Sequence, residues 1–207
     1  HTANRRQRQM CIRDRKKTFE ARSQIIRTIR ESFDQQGWLE VDTPVLQTIP
    51  GGAAARPFIT HHNALDSTLY LRIANELYLK RLIVGGFEGV FEFSRNFRNE
   101  GMDRTHNPEF TVLELYVAYK DYHWMMETTE QLLANICQAV HGGTKANLNG
   151  VDIDFAPPYK RISMRDAIKE HTGIDIDGKN EEQLRAACES VGLETDASMG
   201  KGKLIDE

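Results

Sequence analysis

Two neighbouring stretches of the chain, at residues 90–98 and 110–117, alternate between apolar and polar positions, which is the pattern of half-buried β-strands. The apolar positions are Phe91, Phe93, Phe97, Leu113, Leu115 and Val117. The opposite positions carry Glu92, Ser94, Asn96, Arg98, Phe110, Glu114 and Tyr116. Because successive side chains of a strand point to opposite sides of the sheet, the first set is predicted to join a core and the second to line a site.

The spacing on the second strand suggests the size of a ligand. Phe110 and Glu114 are four residues apart, which is about 13 Å at about 3.3 Å per residue. An aromatic ring and a carboxylate at that distance suit the two ends of one extended ligand, with Arg98 between them. The alternative is that the hairpin only covers a core and that its outer charges are solvated, as in most amphipathic hairpins. The alternation alone leaves both interpretations open.

An amphipathic helix is predicted before these strands, from about Thr18 to Gln36. Its apolar positions recur at helical spacing; they are Phe19, Ile26, Ile29 and Phe33. Gly37 follows as a stop, and the run WLEV then predicts a short strand that leads to Pro44. The apolar face of this helix packs either within the chain or against a second chain, and the pattern does not separate the two.

Two further helices flank the predicted hairpin. Residues 75–84 precede a pair of glycines and carry Glu76 in the first helical turn. The helix dipole explains a carboxylate there, and reception of a substrate ammonium is the functional alternative. After the hairpin, spaced apolar residues over 124–140 predict a core-packing helix that ends before Gly142.

The last third of the chain has weaker signals. The run VDIDFAPPYKRIS indicates a short hairpin or strand. Ser163 with Asp166, and Asn180 with Gln183, have the spacing of helix-capping pairs and predict two short helices.

Composition narrows the class of protein. The chain has 207 residues and a formal net charge of -3, so it lacks the broad basic surface typical of nucleic-acid-binding domains. Its three cysteines show no metal-ligand or disulfide spacing. No apolar run is long enough to span a bilayer, and the first residues lack the apolar core of a signal peptide. A cytoplasmic protein is therefore expected.

The strings FRNEG, THNPEFT and LELYVAY closely resemble motif 2 of the class II aminoacyl-tRNA synthetases, and among them the lysyl-tRNA synthetases. IRTIRESFDQQGWLEVDTPVLQ is similar to motif 1 of that class, with its helix, strand and proline. IPGGAAARPFITHHNALD extends the likeness to the lysine enzymes, because the aspartyl and asparaginyl relatives lack GGAAARPF. The resemblance is most specific from about Lys17 to Tyr122.

The resemblance implies an α+β fold, in which a class II synthetase-like antiparallel sheet is flanked by helices and is incomplete at the C-terminus. Residues 1–16 are expected to be a linker or a disordered or non-native end. Residues 17–142 correspond to the catalytic core with motifs 1 and 2, and residues 143–207 to the start of the helical insertion before motif 3. The sequence is accordingly interpreted as an internal fragment. The anticodon barrel, motif 3 and the magnesium ligands of the family are expected outside it, so the isolated fragment is expected to be inactive.

The resemblance also implies roles for individual residues. The catalytic arginine corresponds to Arg98, which would bridge the substrate carboxylate and the α-phosphate of ATP. The ATP-binding positions correspond to Arg98, Glu100, His106, Asn107 and Phe110. The lysine-binding positions correspond to Gly52, Glu76, Glu114 and Tyr116. Pro44 corresponds to the motif 1 proline at the homodimer interface. Some members have a basic residue before the histidine where this chain has Thr105, which leaves the role of Arg104 open.

The implied reaction is that of a lysine–tRNA ligase, with lysine, ATP and tRNA(Lys) as partners, a homodimer as the assembly and magnesium as the expected ion. No metal ligands are assigned within the chain. Two rival interpretations remain. A paralogue that lysylates a protein side chain would typically lack GGAAARPF and the insertion, both of which are present. A non-catalytic descendant would tend to lose Arg98 or Phe110, and both are retained.

Overall fold

The structure is a computed structural model that describes the backbone of residues 2–207 and the side chains of residues 15–207. It divides into two compact units, His1–Pro158 and Tyr159–Glu207. The interpretation of residues 1–16 as a linker or a disordered end lies largely outside the residues whose side chains are described. In the described part of the chain, no helix is both long enough and apolar enough to cross a membrane.

The first unit alternates helices with short and long strands. In chain order its elements are α1 (Thr2–Asp34), β1 (Leu39–Glu40), β2 (Leu46–Gln47), β3 (Ile59–His62), β4 (Ser67–Leu71), α2 (Glu76–Val84), β5 (Gly89–Phe97), β6 (Glu109–Val117), α3 (Tyr122–His141), β7 (Lys145–Leu148) and β8 (Val151–Asp154). The strands β5 and β6 form the predicted antiparallel hairpin, and β1 adds to β5 in parallel. Helices therefore accompany a largely antiparallel set of strands, which confirms the predicted α+β class.

The helix ends agree with their predicted stop signals. After α1, Gly37 has a positive φ of 76°, and the Trp38 amide donates to the Phe33 carbonyl at 3.2 Å. This wrapped C-terminus needs a left-handed residue, which glycine supplies without steric cost. Gly142 closes α3 in the same left-handed conformation. Helix α1 begins at Thr2, well before the start near Thr18 that the apolar spacing predicted.

The apolar face of the hairpin lies on the core, as the alternation predicted. Phe91 is fully buried, and its ring centroid lies 4.8 Å from that of Phe33 in an edge-to-face arrangement. Trp38 packs on Phe33 and on Trp124 of α3. The other members of this core are Ile25, Ile29, Phe93, Leu113, Leu115, Val117, Leu132 and Ile136. The opposite face of the hairpin is thereby left for polar contacts.

The start of β5 is held closely against the helix layer. A Cβ on Gly89 would overlap ring atoms of Trp38, so only a hydrogen fits there. Arg30 of α1 donates two hydrogen bonds of 2.7 Å to Glu40 of β1. Arg30 therefore ties α1 to β1, and Trp38 packs directly against the backbone of β5.

A second three-stranded sheet, which the sequence analysis did not predict, has the antiparallel order β2-β4-β3. The chain leaves β4 at Arg72, whose amide donates to the Val45 carbonyl at 2.9 Å. The Arg72 carbonyl accepts from the Phe97 amide at 2.9 Å. This sheet therefore brings residues 72–76 alongside the polar face of the hairpin.

The second unit contains α4 (Met164–Thr172), α5 (Glu181–Ser190) and α6 (Lys201–Asp206). Ser163 caps α4, and Asn180 with Gln183 forms a complete capping box at α5, which confirms both predicted helix starts. Its small core consists of Leu184, Cys188 and Leu204. The structure groups the β7–β8 hairpin with the first unit, whereas the sequence-based division begins the second segment at residue 143.

Candidate functional site

The polar face of the hairpin carries three of the predicted site residues, Phe110, Glu114 and Tyr116, and Arg98 follows β5 directly. The register pairs Asn96 with Phe110, Glu92 with Glu114, and Val90 with Tyr116. Side chains that are directly paired or two apart on a strand share one face of the sheet, so Phe110, Glu114 and Tyr116 lie on the same side. This confirms the predicted alternation.

The two strands contribute differently to that face. On β5 the polar positions Glu92, Ser94 and Asn96 are each about 1% exposed. On β6 Phe110 and Glu114 are only partly buried. The β5 positions that the alternation assigned to the site face are therefore buried, and the partly buried positions of that face are on β6.

Glu114 and Tyr116 form a hydrogen-bonded pair. The Tyr116 hydroxyl donates to Glu114 Oε2 at 3.0 Å. Burial raises the pKa of Glu114, the Tyr116 hydrogen bond opposes that rise, and the charges of Glu76 and Glu92 add to it. Burial and the neighbouring carboxylate also raise the pKa of Tyr116. The site therefore holds a partly desolvated carboxylate whose charge a cation would stabilise.

Glu76 lies at the first position of α2 and contributes a second carboxylate to this region. Gly52 packs beside it: a Cβ on Gly52 would lie 3.1 Å from Ala74 Cβ and 3.3 Å from Glu76 Cβ. Gly52 also has a φ of 86°, which favours glycine. The structure thus brings two of the predicted lysine-binding positions, Gly52 and Glu76, together. Glycine is needed at position 52 because the backbone there passes close to Ala74 and Glu76.

Arg98 follows β5 directly and lies over the aromatic ring of the same face. Its Cζ is 5.1 Å from the centroid of Phe110, within the range of a cation–π contact. Its amide donates to the Pro108 carbonyl at 2.9 Å, which closes the base of the loop. Arg98 Nε is buried without a hydrogen-bond partner, and no carboxylate of the described residues forms an ion pair with it. The guanidinium therefore retains unused donors for an anion.

Glu100 joins the loop to the segment after Gly52. Its Oε1 accepts from the Arg56 amide at 3.2 Å, and the Asn99 amide donates to the Arg56 carbonyl at 2.7 Å. These contacts place the carboxylate of Glu100 near the open end of the hairpin.

The tip of the loop is exposed and locally ordered. Asp103 accepts from the amides of Thr105 and His106, each at 2.7 Å, and lies 2.8 Å from His106 Nδ1. These hydrogen bonds hold the pKa of Asp103 well below its usual range. Arg104 and Asn107 are exposed. Among the described residues, no hydrogen bond or ion pair joins His106 or Asn107 to the other predicted site positions.

A buried charged cluster beneath the site was missed by sequence reasoning. Glu92 accepts from Arg72 Nη1 at 2.8 Å, Asn75 Nδ2 at 2.9 Å and the Thr43 hydroxyl at 2.7 Å. The Arg72 and Glu92 side chains are only 5% and 2% exposed. Arg72 Nε also donates to the Arg95 carbonyl at 2.8 Å. The only sequence signal was a charged residue directly after an apolar strand, LYLR, and its partners are distant in the chain.

Pro44 follows Thr43 and is exposed. Apolar side chains near it are also exposed; they are Leu39, Val45, Leu46 and Ile49. This surface is available for a protein contact.

Among the residues with described side chains, no three His, Cys, Asp or Glu residues are grouped so as to hold a metal ion.

Comparison of the sequence with known proteins finds related chains. The sequence model of the class II tRNA synthetases (D, K and N) matches residues 2–199. A lysine–tRNA ligase of Porphyromonas gingivalis is 67% identical over 192 residues, which is 93% of this chain and 33% of that protein. The lysine–tRNA ligases of Christiangramia forsetii and Azobacteroides pseudotrichonymphae are 64% and 62% identical over the same share of this chain, with 34% and 38% of their own lengths covered. The chain thus spans about a third of the length of these curated relatives.

Proposed function

Because the chain belongs to the class II tRNA synthetases of the D, K and N group, we propose that it forms part of a lysine–tRNA ligase. In the proposed reaction, the carboxylate of lysine attacks the α-phosphate of ATP, which gives lysyl-adenylate and releases pyrophosphate. The terminal ribose hydroxyl of tRNA(Lys) then attacks the carbonyl carbon of the lysyl-adenylate, which forms the lysyl ester and releases AMP. The observation that carries the proposal is the shared face of the hairpin, which presents Arg98 and Phe110 at one end and Glu114 with Tyr116 at the other.

At the nucleotide end, the site supports binding by stacking and by charge. The partly buried ring of Phe110 offers a surface for adenine, and Glu100 offers an acceptor for its amino group. Arg98 has a planar guanidinium with free donors, which suits a bridge between the substrate carboxylate and the α-phosphate. His106 and Asn107 are assigned to the nucleotide by family position only. Neither chemical step needs a protein nucleophile, so positioning and charge neutralisation supply the catalysis.

At the amino-acid end, two carboxylates match the two ammonium groups of lysine. We assign Glu114 and Tyr116 to the ε-ammonium, and Glu76 to the α-ammonium, with Gly52 beside it. Glu114 is partly desolvated and has one hydroxyl partner. A side chain without a terminal cation would leave that carboxylate unpaired, which disfavours uncharged amino acids of similar length.

The wider assembly belongs to the same proposal. The exposed apolar residues around Pro44 support a homodimer contact through β1, β2 and the adjoining segment. Magnesium and most tRNA contacts are assigned to parts of the ligase outside this chain, and the cytoplasm is the proposed compartment. The two rival interpretations, a protein-lysylating paralogue and a non-catalytic descendant, gain no support from the relatives, which are named lysine–tRNA ligases.

Lysine-dependent exchange of pyrophosphate into ATP tests the proposal. The assay needs a complete ligase, so we define a hybrid ligase as the Porphyromonas gingivalis relative in which this chain replaces the matched region. The hybrid ligase should catalyse exchange with lysine. Arg98→Lys should lower its kcat/KM by a factor of about a hundred or more, on the scale seen when a transition-state donor is lost.

The matched control is Arg95→Lys on β5, three residues before Arg98, because Arg95 is exposed and pairs with Glu109. It should leave the exchange rate nearly unchanged. Exchange that proceeds equally well after Arg98→Lys, or that responds to other amino acids as well as to lysine, would refute the proposed function.

A further inference from the structure

Helix α2 places a cation among the carboxylates of the site. Lys80 lies one helical turn after Glu76, and its Nζ is 2.5 Å from Glu76 Oε1. The Lys80 side chain is 55% exposed and that of Glu76 is 32% exposed. The carboxylate assigned to the α-ammonium of the substrate is therefore already paired with an ammonium of the chain itself.

Lys80 acts electrostatically on two carboxylates of this region, Glu76 and Glu114. Glu92 is neutralised within its own cluster by Arg72, so it needs no further cation. Glu76 and Glu114 remain, and among the residues with described side chains only the Tyr116 hydroxyl is hydrogen-bonded to the Glu114 carboxylate. The positive charge of Lys80 also reaches Glu114, since it lowers the pKa of that carboxyl against the larger effect of burial.

We propose that Lys80 is a resident counter-ion that pairs with Glu76 in the unliganded site and that the α-ammonium of the substrate must displace. The inference rests on the proposed function, because it concerns how lysine enters the same site. Lys80 is a positioning residue in this scheme: it touches Glu76 and makes no bond to the reacting atoms.

The side chain of Lys80 suits displacement. Its ammonium ends a flexible four-carbon stem, and more than half of the side chain is exposed, so it can rotate into water when Glu76 takes another partner. An exposed pair within one helix is weak, so the substrate can displace it. The resident ammonium nevertheless reduces the negative potential that attracts a cationic amino acid.

Calorimetric titration of lysine into the hybrid ligase and its variants tests this competition. Lys80→Met removes the charge and keeps most of the stem, so lysine should bind about two- to five-fold more tightly, the range expected for loss of an exposed ion pair. Lys80→Arg keeps the charge and should bind lysine as the unmodified protein does. Lys120→Met removes an equal charge from beside Trp124, outside the site, and should also leave affinity unchanged.

A second ligand separates displacement at Glu76 from a general change in potential. The lysine analogue that lacks the α-amino group needs only Glu114, so Lys80→Met should improve its binding less than it improves that of lysine. Equal gains for both ligands would overturn displacement at Glu76. Unchanged or weaker lysine binding by Lys80→Met would also overturn it.

The outcomes distinguish this inference from the proposed function. If the unmodified hybrid ligase binds and activates lysine but Lys80→Met brings no gain, only the role of Lys80 is wrong. If no variant binds lysine, both proposals are wrong. Because the pair is exposed, Lys80→Met should leave the free energy of unfolding nearly unchanged, so a tighter complex would not reflect a more stable fold.

Discussion

Glu92 and Glu114 lie directly opposite each other across the hairpin, but they differ in exposure and in hydrogen-bond partners. Glu92 is about 1% exposed and is bonded to Arg72, Asn75 and Thr43. Glu114 is partly exposed, and its carboxylate accepts a hydrogen bond from the Tyr116 hydroxyl. Like charges in register destabilise a sheet, so their pairing needs compensation.

The difference separates a structural carboxylate from one that is available for a ligand. A fully buried charge is tolerated only when partners surround it, and Glu92 meets that condition within the chain. Glu114 has no such set of partners. Burial raises the pKa of Glu114, and the charges of Glu76 and Glu92 raise it further. An incoming ammonium would supply the positive charge that Glu114 lacks.

The largest expected effect is on stability, when the cation that neutralises Glu92 is removed. Arg72→Met leaves Glu92 buried without its cation and should lower the free energy of unfolding by about 3–5 kcal/mol. Urea unfolding followed by tryptophan fluorescence measures it well, because the two tryptophans, Trp38 and Trp124, both lie in the first unit.

The control for this experiment is Arg95→Met. The Arg95 and Glu109 side chains are 59% and 56% exposed, so the loss of their pair should cost less than about 1 kcal/mol. Similar losses for the two arginine variants would show that the buried cluster does not stabilise the fold as argued.

A smaller effect, on lysine affinity, is expected from Glu114→Gln. This change keeps the shape of the side chain and removes the charge that would meet the ε-ammonium. Lysine should bind the hybrid ligase about ten- to a hundred-fold more weakly, as for loss of a hydrogen bond to a charged group. The stability of the fold should not fall, because a half-buried carboxylate is removed.

Glu92→Gln is the informative counterpart to that variant. It should destabilise the fold, since Arg72 then lacks its carboxylate. If Glu114→Gln destabilised the chain and spared lysine affinity, the roles assigned to the two glutamates would have to be exchanged.

The smallest expected effect is on pH dependence. Folding raises the pKa of Glu114 above its ordinary value of 4.5, so between the two values the folded chain binds more protons than the unfolded chain. The contribution of this group to stability is therefore greatest below the ordinary pKa and decreases as pH rises through the folded pKa. Lysine affinity should change in the opposite direction, because binding needs the ionised carboxylate.

Calorimetry and urea unfolding over a pH series would follow both trends. Glu114→Gln should flatten both in that window. The groups that face Glu114, namely Glu76, Glu92, Lys80 and Tyr116, are the same in the variant. Lysine affinity that increased as pH fell would contradict the assignment of Glu114.

Local patterns were enough to predict the elements that carry the site. Alternation predicted that Phe110 and Glu114 share a face and that Phe91 faces the core, because a strand has a fixed two-residue period. Glycines marked the helix ends, since Gly37 and Gly142 take a left-handed conformation that other residues avoid. These features depend on neighbours in the sequence.

The features that were missed depend on distant partners. The bond between Arg72 and Glu92 spans 20 positions, and that between Thr43 and Glu92 spans 49. No local pattern shows that a charged residue will be buried with its partner, so the alternation placed Glu92 on the site face without indicating its burial. The β2-β4-β3 sheet was missed as well, because its strands are short and partly exposed.

The fit of Trp38 over Gly89 has a consequence for engineering the hairpin. A combinatorial library that randomised residues 89–97 in search of new amino-acid specificity would accept glycine alone at its first position. Recombination with distant homologues should therefore exchange Trp38 and Gly89 together.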